Sequence, residues 1–138
     1  MRPAPRLRRR TTDAKGHPTV TLDYSKLDGL IPAVAQDATT REVLMVGFMN
    51  ADAFDATRRT GFATFFSRSR GTLWTKGETS GNRLAVTRLL VDCDEDTVVL
   101  LVNRQGDGNV CHTGERSCFF REIPLDAGEP APAAGGAA

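Results

Sequence analysis

The stretch VDCDEDTVV, Val91 to Val99, sets three carboxylates and a thiol inside a β-branched, apolar run. On a strand, neighbouring side chains point to opposite faces. Read that way, Asp92, Asp94 and Asp96 share one face and Cys93 takes the other. Carboxylates so crowded repel one another unless a cation or basic groups compensate. Hard oxygen donors suit magnesium, and a thiolate suits a softer ion such as zinc. The alternative is a charged strand end or turn facing water. A calcium loop is excluded, because Thr97 replaces its glycine and Asn103 stands where its last glutamate belongs.

The second segment with metal-binding chemistry is CHTGERSC, Cys111 to Cys118. Two thiols flanking a polar, glycine-containing loop can converge on one ion. With Cys93 they make three sulfur donors, and three protein ligands on zinc leave one position for water, as in catalytic sites. Zinc brings the pKa of that water near neutrality and makes it a nucleophile. His112 either closes the site as a fourth ligand or stays free as an acid/base. Adjacent residues seldom ligate one ion together, which favours the acid/base role. Three unrelated buried thiols are the plain alternative.

A third segment, SRSRGTLWTKGETSGN (Ser67 to Asn82), gathers Arg68, Arg70 and Lys76 with hydroxyls and glycines. Cations, hydroxyls and close-approaching amides are what phosphate groups need. Thr79, Ser80 and Gly81 form a candidate phosphate-binding turn. Trp74 is either a stacking surface for a base or a core residue. Nucleic acid is a poorer partner than a small phosphorylated molecule. The chain's net charge is only +1, five arginines sit in its first ten residues, and the rest is mildly acidic.

These residues need a scaffold, and 138 residues suffice for one domain with a true core. Apolar runs at Ile31–Gln36, Val43–Phe48, Ala63–Ser67, Leu84–Asp92 and Thr97–Asn103 predict strands, with DATTRE as a hairpin loop between the first two. One helix is predicted between Asn50 as N-cap and Gly61 as terminator, with Met49 stapled onto Phe54. The expected organisation is an arginine-rich disordered arm over 1–23, a β-rich domain over 24–123 and an Ala/Gly/Pro tail over 124–138. No apolar run is long enough to span a bilayer. An odd cysteine count without a signal peptide points to a reducing, cytoplasmic setting.

The ordered set LIPAVAQD, VLMVGFMN, FFSRSRGTLWTKGETSGN, DCDEDT and CHTGERSCF, from Leu30 to Phe119, resembles the phosphoribosyl-AMP cyclohydrolase family of histidine biosynthesis. Two mild departures are Phe48, where the family often has tyrosine, and Val110 before CHTG. The resemblance implies hydrolytic opening of the adenine ring at its N1–C6 bond in N1-(5-phosphoribosyl)-AMP by zinc-bound hydroxide, giving the formimino-aminoimidazole carboxamide ribotide. It implies an obligate homodimer in which Cys93 of one subunit and Cys111 with Cys118 of the other hold zinc. Asp92, Asp94 and Asp96 would hold magnesium, and His112 would shuttle protons. The implied fold is a β-rich α+β pseudo-barrel of mostly antiparallel strands with one main helix. In many bacteria this domain is fused to a pyrophosphatase; here only the tail follows, so the cyclohydrolase step alone is expected.

Two other classes fit less well. A zinc nucleobase deaminase needs H-x-E followed by P-C-x-x-C, and neither occurs. A binding module with a closed zinc site of Cys93, Cys111, Cys118 and His112 would leave the aspartate row unused.

Overall fold

A computed structural model of the chain describes residues 12, 14–16 and 19–128. Residues 1–11 of the arginine-rich arm and 129–138 of the tail lie outside the described residues. The elements are β1 (Ile31–Asp37), β2 (Val43–Met49), α1 (Ala51–Thr60), β3 (Thr64–Ser67), β4 (Thr72–Thr75), β5 (Leu84–Val91) and β6 (Val98–Arg104). Among the described residues the chain is therefore strand-rich with one helix, as the sequence predicts.

The helix forms where its caps dictate. The side chain of Asn50 accepts the Ala53 N–H at 2.8 Å, and Gly61 closes the other end in the left-handed region at φ 77°. Met49 is fully buried and Phe54 packs against the same core. Thr57 ties the helix to β3 by donating to the Ala53 carbonyl and accepting the Thr64 N–H at 3.0 Å.

Four strands form an open sheet in the order β2-β1-β6-β5, and β3 with β4 forms a separate hairpin. Only β1 and β6 run parallel; the other pairings are antiparallel. β1 alternates strictly, sending Ile31, Ala33, Ala35 and Asp37 inward. Leu44, Met49, Phe65, Leu84, Leu100 and Val102 complete the core. Phe65 lies so close to β2 that a Cβ on Gly47 would sit 2.5 Å from its ring. Edge strand β5 starts buried at Leu84 but leaves Leu89, Leu90 and Val91 exposed.

Strand bounds differ from expectation by a residue or so, and two differences matter. β4 falls where the sequence predicts no strand, among glycines and hydroxyls; it forms by pairing TLWT against TFFS, with Trp74 opposite Phe65. The aspartate row is not part of a strand. β5 and β6 are antiparallel, and their ladder closes at Val91 and Val98, so the chain must reverse between them. The reversal is fixed by Asp92, whose Oδ1 accepts the N–H groups of Asp96 and Thr97, and by Glu95 at φ 61°. The three aspartates converge through a turn, not through the two-residue period of a strand.

Candidate metal and substrate site

One carboxylate oxygen from each of Asp92, Asp94 and Asp96 lies within 4.8 Å of the other two, and among the described residues this is the one group of three with that property. The donor set fits a hard divalent cation. Lys26 also reaches it: its Nζ lies 2.8 Å from an oxygen of Asp94 and 2.8 Å from one of Asp96. That ammonium, followed by the neighbouring side chains of Asp96 and Asp92, holds the Asp94 carboxyl down to about 2. Asp92 moves the other way. Burial pushes it up, with hydrogen bonding to Asp94 and Asp96 adding to the rise and the two turn amides opposing it. Cys93 projects from the same turn and is exposed.

The second thiol group sits at the opposite end of the sheet. The loop from Cys111 to Cys118 folds onto β2, where Cys118 N–H donates to the Leu44 carbonyl at 2.8 Å and Ser117 Oγ to the Val43 carbonyl at 2.7 Å. Arg116 clamps it with two bonds to Glu42, at 2.7 and 2.9 Å. Within the loop, Cys111 N–H donates to the Glu115 carbonyl and Gly114 N–H to the Cys111 carbonyl. The result is a tight reversal that brings the two thiols into interaction. Thr113, through its hydroxyl bond at 3.1 Å and then its N–H, pulls the Cys111 thiol below the usual range, with Cys118 and Lys76 helping. Burial pushes Cys118 up, and Cys111 pushes it further. Cys111 is thus the first of the pair to become a thiolate. The two cysteines line an open concavity of about 440 Å³ with His112, Thr113, Phe120 and Arg121.

Within one chain, Cys93 does not join Cys111 and Cys118 in a three-ligand group, and neither does His112. The β5–β6 ladder explains why. The acidic turn lies beyond its Val91/Val98 end and the loop into Cys111 leaves from its Leu84/Arg104 end, so the eight residues of β5, roughly 26 Å of strand, lie between them. One chain therefore supplies a thiol pair at one end of the sheet and a lone thiol at the other.

The basic segment is divided by its hairpin. Arg68 lies over Phe48, its guanidinium carbon 4.2 Å from the ring centroid, and Arg70 packs on Ser67 at the exposed reversal. Trp74 is half-buried, 5.1 Å from Phe65 between ring centroids. Lys76, at the end of β4, is the member near enough to the thiols to favour their ionised forms. Thr79, Ser80 and Gly81 form an exposed turn closed by Gly81 N–H donating to the Gly77 carbonyl at 2.8 Å.

Sequence reading missed Lys26, Thr113, the Glu42–Arg116 clamp and Asn82. Lys26 is separated from Asp94 by 68 positions, and no spacing rule signals such a pair. Thr113 was detectable, because a hydroxyl two residues after a cysteine in a turn can reach back to it.

Comparison with known proteins bears on this arrangement. A model of the phosphoribosyl-AMP cyclohydrolase family matches residues 45–120. The chain is 66% identical over 100 residues to a phosphoribosyl-AMP cyclohydrolase of Erythrobacter litoralis, covering 72% of this chain and 78% of that one. It is 57% identical over 110 residues to one from Solibacter usitatus, covering 80% and 85%. A third, from Nitratidesulfovibrio vulgaris, is 55% identical over 101 residues, covering 73% and 79%.

Proposed function

The chain belongs to the phosphoribosyl-AMP cyclohydrolase family, and from that premise we propose that it hydrolyses the N1–C6 bond of the adenine ring in N1-(5-phosphoribosyl)-AMP, opening the purine in the course of histidine biosynthesis. The observation that carries the reading is the division of the thiols. Cys111 and Cys118 interact at one end of the sheet, while Cys93 stands with the three aspartates at the other.

Cys111 and Cys118 of one subunit, with Cys93 of a second, are the residues that would hold zinc. Zinc held by three thiolates supplies an activated water at neutral pH. His112, exposed at the rim of the thiol concavity, would be placed to accept a proton from the attacking water and to donate one to the leaving N1 nitrogen of the ring. Asp92, Asp94 and Asp96 would hold magnesium, which helps to bind the phosphorylated substrate. Lys76, Arg68, Arg70 and the turn at Thr79–Gly81 offer cations, hydroxyls and amides to its phosphates, and Trp74 offers a ring on which its base can stack. Nucleic acid and membrane are not partners in this reading, and among the described residues no helix is long and apolar enough to cross a membrane.

A homodimer follows from the same division, because one chain cannot complete the zinc set. The exposed Leu89, Leu90 and Val91 of β5, with Phe119 and Phe120 beyond the thiol loop, give a second copy apolar surface to cover. Pairing would close the open sheets towards the pseudo-barrel, with the cytoplasm as the setting. Subunit complementation tests function and assembly together. Cys93→Ser and Cys118→Ser proteins are each inactive in ring opening. Mixed after reversible dissociation, they recover about a quarter of wild-type activity, since half the dimers are hybrids and each hybrid holds one intact site of two. No recovery from correctly mixed hybrids rules out the shared site.

A further inference from the structure

The turn at 76–81 and the loop running from β6 into Cys111 are joined by one side chain that no catalytic role requires. Asn82 Oδ1 accepts the Asp107 N–H at 3.0 Å, and its Nδ2 donates to the Asn109 carbonyl at 3.2 Å. Its own N–H donates to Ser80 Oγ at 3.2 Å, inside the candidate phosphate-binding turn. Because the two amide partners are a backbone N–H and a backbone carbonyl, the amide can face only one way.

The β5–β6 ladder ends at Leu84 and Arg104, extended by Gln105 N–H donating to the Arg83 carbonyl. Beyond it the strands' extensions diverge, one towards Lys76 and the other towards Cys111, and the Asn82 amide continues the join. Glycines give it room. A Cβ on Gly106 would lie 2.2 Å from Asn82 Oδ1, and one on Gly77 would lie 2.2 Å from the Asn82 carbonyl carbon. Past Asn109 comes Val110, buried in the core, and then Cys111. Val110, anchored in the core and by its N–H to the Arg116 carbonyl, holds the thiol loop while Asn82 fixes the turn against it.

We propose that Asn82 is a positioning residue that holds the phosphate-binding turn 76–81 in register with the thiol loop, through its paired bonds to Asp107 and Asn109. The inference rests on the functional reading above and adds a determinant of substrate geometry. Asn82 needs no contact with substrate. It sets where Lys76, Thr79 and Ser80 stand relative to the reacting ring, and a displacement of about 1 Å in such groups is enough to lower turnover efficiency strongly.

The test uses Asn82→Ala, which leaves both backbone groups unpaired, and Asn82→Asp, which keeps the acceptor and loses the donor. Both are expected to raise KM for phosphoribosyl-AMP by about tenfold or more, with a smaller change in kcat. The cobalt–thiolate absorption of the cobalt-substituted proteins stays as in wild type. Hydrogen exchange at the Asp107 amide quickens while that of β1 and β6 does not. Added to Lys76→Ala, the Asn82 change produces no further loss in kcat/KM, because both act through one turn. An unchanged KM in Asn82→Asp, or full additivity with Lys76→Ala, overturns the inference even with an active wild type. A wild type that does not open the ring, yet shows the protected Asp107 amide, overturns the functional reading on which the inference rests.

Discussion

Arg104 Nε stands 2.9 Å from Asp37 Oδ2, tying the end of β6 to the end of β1, and its Nη1 donates to the Gly108 carbonyl at 2.7 Å. Burial alone would push the Asp37 carboxyl up. The N–H groups of Thr40 and Thr39 and the Arg104 guanidinium outweigh it and hold the group below its ordinary value. A depressed folded-state pKa stabilises the fold above the unfolded carboxylate value and ceases to do so as pH falls through the folded one. Asp37→Asn is expected to cost about 2 kcal/mol at neutral pH. In denaturant titrations, the gap from wild type should close as pH falls below the ordinary carboxylate range. A gap independent of pH would contradict this assignment.

Gly47 faces the Phe65 ring with no space for a methyl group. Gly47→Ala should lower stability by roughly 1–3 kcal/mol through overpacking. Phe65→Leu, itself destabilising, should partly relieve that loss when the two are combined. Thermal melts of the single and double variants measure the coupling, and simple additivity would show that the loss does not arise at the Phe65 ring.

The proposed roles divide the thiol loop into ligands, Cys111 and Cys118, and a proton carrier, His112. Cys111→Ser is expected to lose zinc and turnover together. His112→Ala keeps zinc, measured by metal analysis, and loses on the order of 100-fold in turnover. In zinc-free protein, alkylation followed by mass spectrometry should modify Cys111 at lower pH than Cys118, as their opposite shifts require. Normal cycling by His112→Ala would remove it from the mechanism.

Lys26 places a fixed positive charge where a divalent cation would be neutralised. Lys26→Ala should tighten manganese binding, read by titration, by roughly tenfold, as expected when one unit charge is removed at contact distance. Asp94→Asn should weaken it. Equal affinity in all three proteins would place the ion elsewhere.

The elements that repeat a local signal were legible in the sequence. Asn50 and Gly61 bound the helix, and the alternation in IPAVAQD marks β1. The motifs that carry the family resemblance also located the aspartates and thiols. The shape in which the aspartates meet was not legible, because VDCDEDTVV alternates like a strand and only the pairing of Val91 with Val98 shows the reversal. β4 was hidden for a related reason: four residues between glycine-rich turns become a strand only when a partner lies alongside. Lys26, Arg104 with Asp37, and Asn82 act across 25 to 70 positions of chain. Tertiary folding alone creates such contacts.

The most direct test is ring opening itself. Purified protein given phosphoribosyl-AMP with zinc and magnesium is predicted to produce the absorbance change of purine opening. A chelator should abolish it, and returning zinc should restore it. No absorbance change in fully metallated, folded protein would contradict the proposed activity.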